Sequence, residues 1–167
     1  MEIRNELLAE FDNETAATRK MLEAIPEGAD FGWKPAEKSM TLGALAGHIA
    51  EMPGEWAHAT LTLDRLEVSP DNPWKPFKPE TRAEALAQFD KGLAGTRAAL
   101  EAVTPEKWDQ HWQFSWQGQV VVDEPRYRVL RTMVLNHLVH HRAQLGVYIR
   151  LLGGKLPGVY GPSADEA

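Results

Sequence analysis

The chain has no cysteine among its 167 residues. That absence excludes disulfides, thiolate zinc sites and a cysteine nucleophile, and it makes a cytoplasmic address the expectation. Any thiol in the chemistry must come from a second substrate. Lysine and arginine nowhere form a run, and the formal net charge is −6. Without a basic stripe there is no electrostatic footprint for nucleic acid or for an anionic membrane surface. No apolar stretch is long enough to span a bilayer, and the acidic, amphipathic opening MEIRNELLAEFDNE lacks the apolar core of a secretory signal. Gly-rich phosphate loops, a Gly-x-Ser-x-Gly elbow, EF-hand spacing, internal repeats and low-complexity tracts are also missing. The partner expected by elimination is a small molecule. Hydrophobic residues make up 43% and charged residues 25%, the balance of one globular domain, expected over 1–167.

The apolar pattern is helical almost throughout. Ile3, Leu7, Phe11, Thr18, Leu22 and Ile25 recur at three- and four-residue steps, which predicts a first helix over about 2–25, ended by Pro26 and Gly28. A second helix is predicted over 41–66, with Leu45, His48, Met52, Trp56, Leu63 and Leu66 on its stripe. Pro53 falls inside it, so a kink with a freed Ile49 carbonyl is expected just beyond His48. A capping box, Thr81 to Glu84, opens a third helix over 81–103. The fourth, over 124–152, starts at Asp123–Pro125 and stops at Gly153, Gly154 and Pro157, leaving a tail over 153–167.

Two connectors shape the expected fold, an all-α four-helix bundle. The second-to-third connector carries Pro70, Pro73, Pro76 and Pro79. At about 3.1 Å per residue in polyproline geometry, its roughly 14 residues reach about 43 Å. A helix of about 26 residues is roughly 39 Å long, so this crossover can leave helices two and three parallel. The third connector, 104–123, alternates Trp112, Phe114 and Trp116 before a Gln117–Gly118 turn signal and Val120–Val122. A small hairpin or an irregular flap is expected there, serving as a lid or a pocket wall.

The chemistry-bearing residues are histidines. His137 and His141 are one turn apart on the inward stripe of the fourth helix, the spacing at which two imidazoles share an ion. His48 holds a similar place on the second helix. Three imidazoles aimed into an apolar core each need a partner, and few Asp or Glu residues fall on the inward stripes to supply one. Three protein ligands with a fourth position open is the catalytic rather than the structural zinc pattern. The competing reading is hydrogen-bonded core histidines in a helical interaction module. His140 lies at the edge of the stripe, either at the surface or behind the ligands. His58 has no predictable direction, and His111 belongs to the flap, where it either approaches the site or, the favoured reading, faces solvent. Glu51 is either a base or support for His48, or an interhelical or solvated carboxylate. Trp56, Trp112 and Trp116 are pocket or core tryptophans. Arg126 either meets an anionic substrate group or forms a helix-surface ion pair.

Two stretches carry a family resemblance. LGALAGHIAEMPGEW, with His48 followed five residues later by Pro53, resembles the second-helix ligand segment of DinB/YfiT-like proteins. PRYRVLRTMVLNHLVHHRAQLGVYIRLLGGKLPGVYGPSADE resembles that family's last helix and tail, with His137, His141, Arg142, Gln144, Leu145, Tyr148–Arg150 and the Tyr-Gly-Pro-Ser ending. The resemblance implies a bundle of up-down-down-up order and one divalent ion held by His48, His137 and His141. Zinc, nickel and iron all occur among such proteins, and homodimers are common. Characterised relatives include thiol transferases and a thiol-dependent isomerase, so the implied activity is transfer or addition of a low-molecular-weight thiol to an electrophile. A hydrolase using bound water and a non-catalytic metal-binding stress protein are the alternatives. Family membership narrows the site far more than the substrate.

Overall fold

The computed structural model describes residues 2–166; residues 1 and 167, the ends of the expected domain, lie outside them. Helix α1 spans Ile3–Glu23 and buries Leu7, Phe11, Thr18 and Leu22. Thr41 caps α2 (Leu42–Glu51) by accepting from the Ala44 amide at 3.1 Å. A π turn, Met52–Trp56, then leads without a break into α3 (Ala57–Thr62). α4 (Arg82–Ala102) opens on the capping box: Thr81 accepts from the Glu84 amide, and the Glu84 carboxylate reaches back to the Glu80 amide at 2.8 Å. A short α5 (Pro105–Asp109) follows, and the last helical run is α6 (Arg126–Val129), a second π turn (Leu130–Leu135) and α7 (Asn136–Leu151).

Side-chain pairs give the helix directions. Arg19 meets Asp90 and Arg97 meets Asp12, so α4 is antiparallel to α1. Arg131 meets Glu10 and Arg142 meets Glu14, so the last helical run is parallel to α1. His48 lies against His137 and His141 while Tyr148 donates to the Met40 carbonyl, so α2 opposes α7. Gly43 lies under the Pro79 carbonyl and Gly54 against Gly92, so α2 and α4 run the same way. Between those two helices runs the proline-rich crossover. It is seated on α2 at Gly47, where a Cβ would collide with the Phe77 carbonyl, and at Glu51, whose carboxylate accepts from the Phe77 amide.

The molecule is mainly helical but not purely so. A three-stranded sheet, ordered β1–β2–β3, is formed by β1 (Arg65–Val68), β2 (His111–Trp116) and β3 (Gln119–Pro125). Helix two therefore ends at Thr62 rather than 66, and Leu66 is a strand residue opposite Phe114. The start of helix four moves as well. Asp123 and Glu124 are in β3, opposite Gln113 and Trp112, and the helix begins at Arg126. The expected flap is a hairpin built on Gln117 (φ 49°) and Gly118 (φ 77°), the two left-handed residues of a tight turn. It is not a loose cover: Trp112 and Phe114 are buried with Val68 and Val129 in a small core of their own. The expected kink is a π turn. The ring of Pro53 cannot donate, and the chain widens so that the Ala57 amide bonds the Met52 carbonyl five residues back. Among the described residues no helix is long and apolar enough to cross a membrane.

Candidate metal centre

His48 reaches the centre from the last turn of α2, and His137 and His141 from the first two turns of α7. The neighbouring positions explain why these rings face one another: Leu45, Ile49 and Met52 on one side and Leu138 and Leu145 on the other are buried in the same core. The Nε2 atoms of His137 and His141 are 2.8 Å apart, and those of His48 and His137 are 3.5 Å apart. One nitrogen from each of the three rings lies within 4.8 Å of the others. Zinc–imidazole bonds of about 2.0–2.1 Å in a tetrahedron separate the donor nitrogens by roughly 3.3 Å. The spacing fits one ion.

The protons say the same. His137 Nδ1 faces the Met133 carbonyl at 3.3 Å, an acceptor only, so Nδ1 carries the proton. His141 Nδ1 donates to the Gln144 side-chain oxygen at 2.7 Å. Burial drives all three imidazoles toward the neutral form, and His48 is pushed down to about 4. A neutral ring with its proton on Nδ1 presents a bare lone pair at Nε2. Two such lone pairs at 2.8 Å repel each other unless a cation lies between them.

Beside the histidines is a cavity of about 60 Å³, lined by His48, Met52, Trp56, Phe114, Met133 and His137. Met52 and Trp56 come from the first π turn, Met133 from the second, and Phe114 from β2. Of these walls the sequence had pointed to Trp56, two turns beyond His48, and to Phe114 through the aromatic connector expected to wall a pocket. Met52 follows His48 by one turn and Met133 precedes His137 by one turn, so the same periodicity that found the three histidines also points to both methionines.

The DinB family model matches residues 1–167. This chain belongs to the DinB family. Among its relatives are two uncharacterized Bacillus subtilis proteins. YrdA is 24% identical over 162 residues, covering 95% of this chain and 89% of YrdA. YjoA is 25% identical over 150 residues, covering 89% and 90%. The fold is similar to that of a DinB-like protein from Bacillus cereus, with a TM-score of 0.68 and 24% identity over 92% of this chain and 95% of that one. It is also similar to the YjoA crystal structure, with a TM-score of 0.65 and 24% identity over 92% and 97%.

In this DinB-family chain the remaining candidate residues are placed elsewhere. His140 is exposed, its ring 4.9 Å edge-on from that of His141, and it is not one of the converging three. Glu51 is 1% exposed and turned to the crossover, and burial pushes its carboxyl up to about 7. Arg126 is also 1% exposed. Its guanidinium donates to the Thr60 and Leu63 carbonyls, at the end of α3, and lies 3.5 Å from Asp64, so it caps a helix rather than meeting a substrate. Trp112 is a core residue, Trp116 is 45% exposed at the hairpin end, and neither borders the cavity. His111 pairs with Asp123 at 2.7 Å on the outer face of the hairpin.

Proposed function

We propose that this protein is a metal-dependent enzyme that transfers or adds a small thiol to an electrophilic substrate, with His48, His137 and His141 holding one divalent ion. The convergence of Nε2 lone pairs whose Nδ1 protons are already committed carries this reading. An all-nitrogen, neutral donor set suits zinc or nickel, and iron is compatible with it. An ion held by these three histidines would supply Lewis acidity, which lowers the pKa of water to about 7 or makes a thiol a thiolate. The chain supplies no cysteine, so the thiol is a cosubstrate.

The cavity wall favours thiol chemistry over hydrolysis. Its side chains offer no carboxyl, hydroxyl or amine, and the nearest carboxyl along α2, Glu51, is bonded to the crossover instead. No wall group can protonate an amine or alkoxide leaving group, as hydrolysis of an amide or ester requires. A thiolate needs less. Its sulfur bonds to the electrophilic carbon; in transfer the leaving group departs with the electron pair of the broken bond and the thiol proton goes to solvent, and in addition the electron pair stays on the electrophile, which takes a proton back from solvent. The wall residues exclude water, and His137 and His141 are oriented by Met133 and Gln144. The test is product formation from thiols and alkylating electrophiles by wild type and His48→Ala. Turnover that depends on both the thiol and His48 supports the proposal. Turnover of esters or amides without thiol supports the hydrolase alternative, and tight metal binding with no turnover supports the non-catalytic one.

The proposal includes a homodimer and a cytoplasmic location. Val147 and Leu151, one turn apart on α7, are 58% and 59% exposed and give a second copy an apolar stripe. Sedimentation of wild type beside Val147→Glu checks the dimer.

A further inference from the structure

The cavity beside His48 and His137 is apolar on every side that is not imidazole, and it is small. Met52, Trp56, Phe114 and Met133 form those sides. Their one hydrogen-bonding group is the Trp56 indole N–H, which is buried without a partner. A cavity of about 150 Å³ lined by apolar side chains admits benzene. At about 60 Å³ this one holds a chain of two or three carbons. Of its four apolar walls only Met133 is substantially exposed, at 37%, whereas Met52 and Phe114 are buried. Met133 therefore stands between the cavity and solvent, and it is joined to His137 through the backbone carbonyl that fixes that ring.

We infer that the cavity is a subsite for a short unbranched alkyl group on the ligand that occupies the metal centre, with Met133 setting the length it accepts. The inference rests on the three-histidine metal reading and adds the chemical class of what lies next to it. Two geometric features carry it. The rings of His48 and His137 form part of the cavity wall, so a ligand whose head group reaches the centre lays its next atoms against Met52 and Phe114. Both π turns contribute to it, and a widened helical turn displaces side chains toward a space that a regular turn would close. Each methylene removed from water here strengthens binding by about fourfold until the space is full. A terminal hydroxyl has to leave water and finds one group to bond, the Trp56 N–H, in place of its hydration.

The experiment is a titration of the cobalt(II)-loaded protein with ethanethiol, propanethiol, pentanethiol and 2-mercaptoethanol, read by the visible absorption of the cobalt. Propanethiol and 2-mercaptoethanol match in length and differ in a terminal methyl against a hydroxyl. The expected result is propanethiol at least about tenfold tighter than 2-mercaptoethanol, with pentanethiol no tighter than propanethiol. In Met133→Ala, which changes a partly exposed side chain, pentanethiol gains over propanethiol. Equal binding of propanethiol and 2-mercaptoethanol overturns the inference, since the hydroxyl would then be received by the Trp56 N–H. Affinity that climbs through pentanethiol in wild type, or a Met133→Ala profile like wild type, also overturns it. All three results leave the metal site standing, because the cobalt bands report it independently. Failure to load cobalt removes the metal reading and this inference together.

Discussion

A neutral imidazole has one proton, and His137 has committed its proton to the Met133 carbonyl. The properties of the centre at the residue scale follow from that and from burial. The unfolded chain takes up protons near the ordinary histidine value of about 6.5, while His48 in the folded chain waits until about 4. Stability of the metal-free protein from these rings is complete above 6.5 and is lost as pH falls toward 4. Ion uptake is protected over the same window. Three ordinary imidazoles lose roughly a thousandfold in affinity between pH 7.5 and 5.5. Calorimetric zinc titrations at the two values are expected to differ by clearly less than a thousandfold, because burial lowers all three rings, and a full thousandfold loss would mean that the rings ionise as they do in water.

Glu51 has the opposite sign. Its folded value, about 7, is raised, so its contribution is fully present below the unfolded value near 4.5 and is lost as pH rises through 7. Denaturation of wild type and Glu51→Gln across pH 4–8 separates this from the histidines. A glutamine side chain has no proton to lose, so the variant keeps what the wild type gives up. Wild type should fall back relative to Glu51→Gln by about 2–3 kcal/mol over that rise in pH. A difference between the two that is constant with pH contradicts the assignment.

Among the elements, most helices were legible because their apolar period is long and unbroken, and the capping box at Thr81 and Glu84 marked one start to the residue. The sheet was not. β1 is four residues, Arg-Leu-Glu-Val, and its partner β2 lies beyond the whole of α4. Nothing local distinguishes Leu66 in that strand from one more turn of helix. Arg126 was illegible for a similar reason: the carbonyls that bury it, those of Thr60 and Leu63, belong to a distant helix end. The ligand spacing of His137 and His141 is local, and it was visible in the sequence.

Pro53 marked where helix two is irregular without saying how, and the close contact there depends on glycine. A Cβ on Gly54 would lie 2.7 Å from the Gly92 backbone, which cannot move aside, whereas a Cβ on Gly95 meets nothing within 4 Å. Gly54→Ala is expected to cost about 2–3 kcal/mol in chemical denaturation. Gly95→Ala, in the interior of the same α4, is expected to gain about 0.5–1 kcal/mol. Equal effects would mean that the helix crossing does not require the bare backbone.

For the molecule as a whole, the tail is held back onto the bundle that carries the three histidines. Arg142, 3% exposed and next to His141, pairs with Glu14 at 2.7 Å and donates to Thr18 and to the Tyr160 hydroxyl. Tyr160 in turn donates to Glu14. Arg142→Ala leaves the Glu14 carboxylate largely buried without its cation, an expected loss of about 3 kcal/mol. Tyr160→Phe removes a hydroxyl from the same network and should cost about 1 kcal/mol. Denaturation curves decide, and losses below about 0.5 kcal/mol for both would show that the tail is merely adjacent.

The central claim is that this bundle exists to hold one ion among three imidazoles. Elemental analysis of tag-free protein, beside a tag-free His137→Ala/His141→Ala variant, tests it most directly. About one divalent ion per chain in the wild type, absent from the variant, is the expected result. Wild-type protein that carries no metal, and takes up neither zinc nor nickel when they are added, would contradict it and leave the three histidines as core residues.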